Sequence, residues 1–353
     1  MLLIAMIGVL FFMITIAGMR FGFFGPIGGS LSRQEAELRY PYLQLNRKEQ
    51  RLYAALCKSI SEYRETALLP GSFSKDVYER VYLLAAEQEP QFFYLDDIYE
   101  TAETMGAVNL FYDTNKDDIK LMTAQMNLVA DRILKRAEAA ATDAEKLAVI
   151  HDEIAKNCEY SDGEHQNDAY GCLVDGYAKC EGYSKAFLYV ARRAGLHVMN
   201  VTGKVRNGEN HVWNIAEIDG AFYNIDVTWD DDDEFRGNVV HCCFAVPDSR
   251  FSDHAADPAC YLPPQCTETT HSWYNTHELI AVSSSEIPTL IRKWTGDTDA
   301  IEFQCSNEIT YQQVSKNIQA ETGILNAVKD VSGAAGFRAV ADETRRTIIL
   351  IPA

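Results

Sequence analysis

The dipeptides Asn207-Gly208 and Asp219-Gly220 constrain the fold of this chain more than any other feature. Such pairs favour two-residue hairpin turns, because both turn residues take a positive φ. They separate three runs of strand-forming residues: Val198–Lys204, His211–Ile218 and Ala221–Trp229. A tight turn at Asp219-Gly220 sets Ile218 opposite Ala221. Extended along the pair, this register puts His211 opposite Thr228 and Trp213 opposite Asp226. Strand side chains alternate, so these four residues share one face. His211 and Asp226 become diagonal neighbours, about 7–8 Å apart at the backbone and closer at the side chains. A slip of one residue would send them to opposite faces.

Upstream lies Cys180-Glu181-Gly182-Tyr183, where a helix is predicted to start at or just before Cys180. Tyr183, Phe187, Val190 and Ala194 form its apolar stripe, and Gly195 is a C-terminal signal. A thiolate attacks acyl carbon and a thiol hardly does, and a free cysteine has a pKa near about 8.5. The unpaired N–H groups of a helix start favour the anion and can donate to an oxyanion. A histidine can take the thiol proton, and a carboxylate holds that histidine in one tautomer. Cys180, His211 and Asp226 are therefore the candidate nucleophile, base and orienting group. Cys180 alone would suggest only a buried inert thiol. Gly182 is expected to let helix and hairpin pack closely, and Tyr183 to be core. Tyr170 and Gln166 are expected to be structural rather than oxyanion donors. Trp213 and Trp229 are expected to cover the site or fill the core.

Taken together in this order, Cys180–Tyr183, His211–Asn214 and Asp226–Asp230 resemble the transglutaminase-like superfamily, the papain-related branch of cysteine enzymes. Tyr170–Gly176 resembles that family's lead-in to the nucleophile. The resemblance covers residues 143–256. It implies an α+β fold in which the cysteine-bearing helix packs on an antiparallel sheet. It also implies a Cys180–His211–Asp226 triad acting on amide bonds of proteins or peptides through a thioester, with amine or water as acceptor. No cofactor is implied, and the calcium-binding residues of the animal enzymes find no match. Some members of the family are inactive scaffolds, so a catalytically silent interaction domain is the alternative.

The rest of the chain frames this core. Leu2–Met19 carries no charge and, as a helix, roughly spans a hydrocarbon layer of about 30 Å. A membrane anchor, a cleaved signal segment or a buried helix would each read this way. Arg20, Arg33 and Arg39 follow it, which by the positive-inside rule favours a cytoplasmic body. The family's bacterial surface members favour an extracytoplasmic or secreted body instead, and the orientation stays open. A net charge of −19 argues against nucleic acid as the main partner, because phosphate binding needs a basic face. A protein or peptide substrate, cell-wall associated in a bacterium, is the expected partner.

Four units are expected: an anchor or signal segment with tether (1–30), a mostly helical accessory domain (31–141), the transglutaminase-like domain (142–277) and a small α/β module (278–353). The tether is expected to run on to residue 40. Asn46 is a predicted N-cap with Glu49 completing a capping box, and Pro70-Gly71 is expected to break that helix. A further helix near Ser74 should end at Pro90, and Phe92–Leu95 and Val108–Tyr112 are plausible strands. Ile119, Met122, Met126, Val129 and Ile133 mark another helix, and Asp143 a further cap. His151 is expected to be a hydrogen-bonded core histidine, and Asp230–Glu234 a solvated acidic loop. His241, Cys242, Cys243, His254, Cys260, Cys266, His271 and His277 cluster in sequence, but without standard zinc-ligand spacing, so no metal is expected. In an oxidising compartment Cys260 and Cys266 are candidates for a disulfide.

Overall fold

A computed structural model describes residues 29–100, 104–235, 237–294, 300–318 and 321–353. The apolar segment Leu2–Met19 lies outside them. No helix among the described residues is long and apolar enough to cross a membrane.

The N-terminal part contains α1 (Arg33–Glu37), α2 (Tyr40–Leu43), α3 (Arg47–Ser61), β1 (Thr66–Ser74), α4 (Lys75–Gln88), β2 (Leu95–Tyr99), β3 (Thr104–Tyr112) and α5 (Lys116–Ala137). Residues 33–43 are thus helical rather than a tether, and Tyr40 packs edge-on against Phe222. Asn46 caps α3, and Glu49 closes the expected capping box. Pro70-Gly71 does not break a helix: it sits where β1 shifts register against β3, and a bulge tolerates a proline that cannot donate to the ladder. The three strands form one antiparallel sheet in the order β1-β3-β2.

Next come α6 (Asp143–Asn157), β4 (Glu159–Tyr160), β5 (Tyr177–Ala178), α7 (Cys180–Arg193), β6 (His197–Val205), β7 (Asn210–Ile218), β8 (Ala221–Ile225), α8 (Val227–Asp230) and β9 (His254–Ala256). Thr142, not Asp143, caps α6, with Glu145 reaching back to close the box. Strands β8, β7, β6 and β9 form an antiparallel sheet in that order, and α7 packs on β6 and β7. Asp219 and Gly220 take φ of 53° and 80°, as a two-residue hairpin turn requires. The register runs from Ile218↔Ala221 to Asn214↔Ile225 as expected. It then stops. The chain leaves the sheet at Asp226, and the expected continuation to Trp229 is instead the short helix α8. Thr228 therefore does not face His211, whose strand partner is Gly203 of β6.

The C-terminal part holds α9 (Trp273–Thr276), β10 (Ile280–Ala281), α10 (Ile287–Lys293), β11 (Ile301–Cys305), α11 (Glu308–Asn317), α12 (Thr322–Ser332), β12 (Phe337–Asp342) and β13 (Thr347–Pro352). Its mixed sheet runs β10-β11-β13-β12. Two apolar cores result. One joins side chains from Tyr42 to Cys266, so residues on both sides of position 141 share it, and it reaches Ile349 and Ile351 of β13. The other, from Tyr274 to Leu350, belongs to the C-terminal module.

Candidate active site

Cys180 opens α7. No side chain caps this helix, because Lys179 precedes it in extended conformation without a side-chain bond to the first turn. The thiol is half-buried. Gly182 sits where the loop before the helix presses closest: a Cβ there would lie 2.6 Å from the Gln166 carbonyl and 2.7 Å from the Ala178 side chain. Glycine thus lets the helix start seat against residues 166–178, not against the hairpin as expected. Gln166 also accepts from the Lys179 N–H, and Tyr170 donates to Gln125 and stacks on Phe93, so both hold this loop in place. Tyr183 is fully buried and donates to Asp231.

β7 delivers His211, and the end of β8 delivers Asp226. His211 Nε2 lies 2.7 Å from Asp226 Oδ2. The Cys180 thiol lies close enough to the ring to raise its pKa, and Nδ1 is the nitrogen left to face that thiol. All three candidate residues therefore meet, although one reason differs from the sequence argument. Asp226 faces His211 not as a strand residue but as the N-cap of α8. Its Oδ1 accepts from the N–H groups of Thr228 and Trp229, leaving Oδ2 for the imidazole.

The charges follow from this geometry. Burial pulls His211 down, but the Asp226 carboxylate and the Cys180 thiol outweigh it and hold the imidazole at about 10. Burial pushes Asp226 up, but His211 and a second histidine, His254, keep it well below the usual carboxylate range. An imidazole held protonated beside a thiol is what a thiolate–imidazolium pair requires. Trp213 stacks near His211 with ring centroids 6.3 Å apart, and Trp229 lies 5.8 Å away, so both tryptophans wall the site.

His254 is the site residue that the sequence did not reveal. Its Nε2 lies 3.1 Å from the same Asp226 Oδ2, and its Nδ1 2.8 Å from Asp253 Oδ1. Only its sequence neighbours hinted at any role, and they suggested zinc.

The other members of that sequence cluster scatter. His271 pairs with Asp219, and all nine cysteines are free, Cys260 and Cys266 included. His241 enters a second buried network: its Nδ1 lies 2.6 Å from Glu302 Oε1, and its Nε2 2.9 Å from Asp152 Oδ1. His151 is fully buried between Asp152 and Asp230, 3.1 Å from each. Asp230 also accepts from the Cys243 N–H and the Cys242 thiol. The acidic run is therefore not all solvated. Asp230 is an internal acceptor, and burial raises Asp231 to about 7 while Tyr183 donates to it. His151, Asp152 and His241 are close enough to hold a metal ion, as are His211, Asp226 and His254, or Asp230, Cys242 and Cys243. In each group the described hydrogen bonds already pair the candidate atoms with one another.

Residues 129–227 match the model of the transglutaminase-like superfamily. Among solved structures, one described as a TGase is 15% identical over 38% of this chain and 43% of that one, with a TM-score of 0.29. A protein of Cytophaga hutchinsonii named as a candidate cysteine protease is 18% identical over 42% of this chain and 50% of its own, also with a TM-score of 0.29. The chain thus spans about half the length of these structures or less. No curated protein sequence matches it.

Proposed function

We propose that this chain is a transglutaminase-like cysteine enzyme acting on amide bonds of proteins or peptides. Cys180 is the nucleophile, His211 the acid–base and Asp226 the group that orients it. The observation carrying this reading is the meeting of a half-exposed thiol at an uncapped helix start with a buried imidazole bonded to a carboxylate. In the proposed cycle, the Cys180 thiolate attacks the amide carbon and the first-turn N–H groups of α7 face the oxyanion. The C–N bond breaks as His211 gives its proton to the departing nitrogen, leaving a thioester. Amine or water then attacks that carbon, His211 takes the incoming proton, and the thiolate leaves. The segment Leu2–Met19 would tether this activity to a membrane or direct it out of the cell, close to cell-wall peptides.

Mass spectrometry of candidate cell-wall peptides and proteins, incubated with wild type and with Cys180→Ala, tests the reading. Addition of an amine, deamidation or chain cleavage, each absent with the variant, would separate transfer, deamidation and proteolysis. Labelling of Cys180 by iodoacetamide at the same rate in wild type and His211→Ala would remove the basis for an activated thiol.

A further inference from the structure

We propose that His254, backed by Asp253 and by Arg345 of the C-terminal module, positions the Asp226–His211 pair, so that the module completes the site. This rests on the assignment of Cys180, His211 and Asp226 given above.

The contacts form an unbroken line. Asp226 Oδ2 lies between two imidazoles, at 2.7 Å from His211 Nε2 and 3.1 Å from His254 Nε2. His254 Nδ1 lies 2.8 Å from Asp253 Oδ1. Arg345 then donates to both oxygens of Asp253, at 2.8 and 3.1 Å. The side chains of Asp226, His254 and Arg345 are each 1% exposed, and that of Asp253 8%. Water cannot substitute for any of these contacts at so little exposure.

Arg345 lies in the turn between β12 and β13, where it also pairs with Asp342 at 2.8 Å. Its guanidinium lies over Trp229 at 5.1 Å and over Phe251 at 5.2 Å. Phe251 in turn stacks on His254 at 3.7 Å, and Trp229 lies 4.4 Å from it. The aromatic rings fix the plane of His254 and the carboxylates fix its ends. The charged and titratable groups around His254 are Asp226, His211 with its ring 5.3 Å away, Asp253, and Arg345 behind Asp253.

Burying a guanidinium is costly unless it is paired, and an arginine used only as glue could pair at the rim. Here it closes a chain that ends on the orienting carboxylate. Each nitrogen of His254 faces a carboxylate oxygen, and carboxylates only accept. The contact at Nε2 holds Asp226 ionised and turned toward His211, and the contact at Nδ1 fixes the ring. Removing that ring frees Oδ2 on one side and lets the carboxylate turn away from His211, so that the imidazole loses the anion that keeps it protonated beside the thiol.

The test uses the full chain and iodoacetamide, with the rate of Cys180 labelling followed across pH for wild type, His211→Ala, His254→Phe, His254→Gln, Asp253→Asn and Arg345→Met. His254→Phe keeps the stacking ring and loses both bonds. It should label about tenfold more slowly at neutral pH, with its low-pH limb moved toward that of His211→Ala. His254→Gln, which can still donate to Asp226, should recover most of the rate. Asp253→Asn and Arg345→Met should move the limb the same way by less. Limbs that coincide with wild type, or move away from His211→Ala, would overturn the proposal. A merely structural role would lower the melting temperature without moving the limb. Should His254→Phe fail to fold, Asp253→Asn and Arg345→Met carry the same comparison. If wild type and His211→Ala already coincide, it is the assignment of the thiol as activated that fails.

Discussion

The His211–Asp226–His254 network and the His151–Asp152–His241–Glu302 network use the same groups at the same distances. In each, one histidine lies 2.6–2.7 Å from a carboxylate oxygen and a second lies 3.1 Å from one: both meet Asp226 Oδ2 in the first, whereas His241 meets Glu302 and His151 meets Asp152 in the second. Each also has thiols nearby. The thiols set them apart. Cys180 is half-buried at an uncapped helix start, whereas Cys242 and Cys243 are sealed inside. Burial raises Cys243 to about 12, and the neighbouring sulfur together with burial raises Cys242 well above its usual value. Paired imidazoles and carboxylates are thus not enough to mark a reactive centre. The sulfur must also be reachable and lie where an anion is favoured.

The second network instead joins two cores. Tyr274 donates to Glu302, and Trp273 stacks on His241 with centroids 3.5 Å apart, so side chains of the C-terminal module close over His241. The first network borders a half-buried thiol, whereas the second is enclosed by protein except at Asp152, whose side chain is 23% exposed.

The largest effect expected of this contrast is on chemistry. Cys180→Ala should abolish any amide-directed turnover, and His211→Ala should lower it by about 10²–10⁴-fold, measured by mass spectrometry of product, with melting temperatures close to wild type. The reverse holds in the other network. His241→Ala takes one partner from each of Glu302 and Asp152 and should cost about 3–5 kcal/mol of stability, read from denaturant unfolding, while Cys180 in the folded protein still labels at the wild-type rate. A loss of labelling there would merge the two networks into one functional unit.

A pH series sharpens the same point. Burial lowers His241, but Glu302 and Asp152 outweigh it and hold the ring at about 10. That is above the ordinary imidazole value near about 6.5, so the folded state binds this proton more tightly. Its contribution is fully present below about pH 6.5 and is lost as the pH rises through about 10. Unfolding midpoints should therefore fall over that window, and Glu302→Gln should flatten the fall. The smallest effect is expected from Cys242→Ala, about 1–2 kcal/mol, with Cys180 labelling unchanged.

Much of this site could be read from the chain because its signals are local. Asp219-Gly220 fixed the register over five residue pairs, and the Cys180 helix start lies where its apolar stripe puts it. Asn46 and Glu49 were legible as a capping box for the same reason. The error at Asp226 was one of boundary: a β-prone run, Val227–Trp229, was read as strand although an aspartate ahead of it can end a strand by capping a helix. His254, Asp253 and Arg345 were out of reach. They meet the site from 28 and 92 residues away, and no periodicity records such a contact. The two internally bonded acids of the 230–234 run were missed because a charge run says nothing of which member a distant histidine or tyrosine will claim.

Asp226 divides its two oxygens between different duties, one holding the first turn of a helix and the other an imidazole. A descendant that gave up chemistry would still need that turn, so it could shed its sulfur at little cost to folding while the acid stayed. Among relatives of this chain, an intact aspartate is therefore a poor witness to activity, and the cysteine a better one. By the same logic, an alanine at position 226 would overstate the part the carboxylate plays in the reaction, since some of the loss would be architecture.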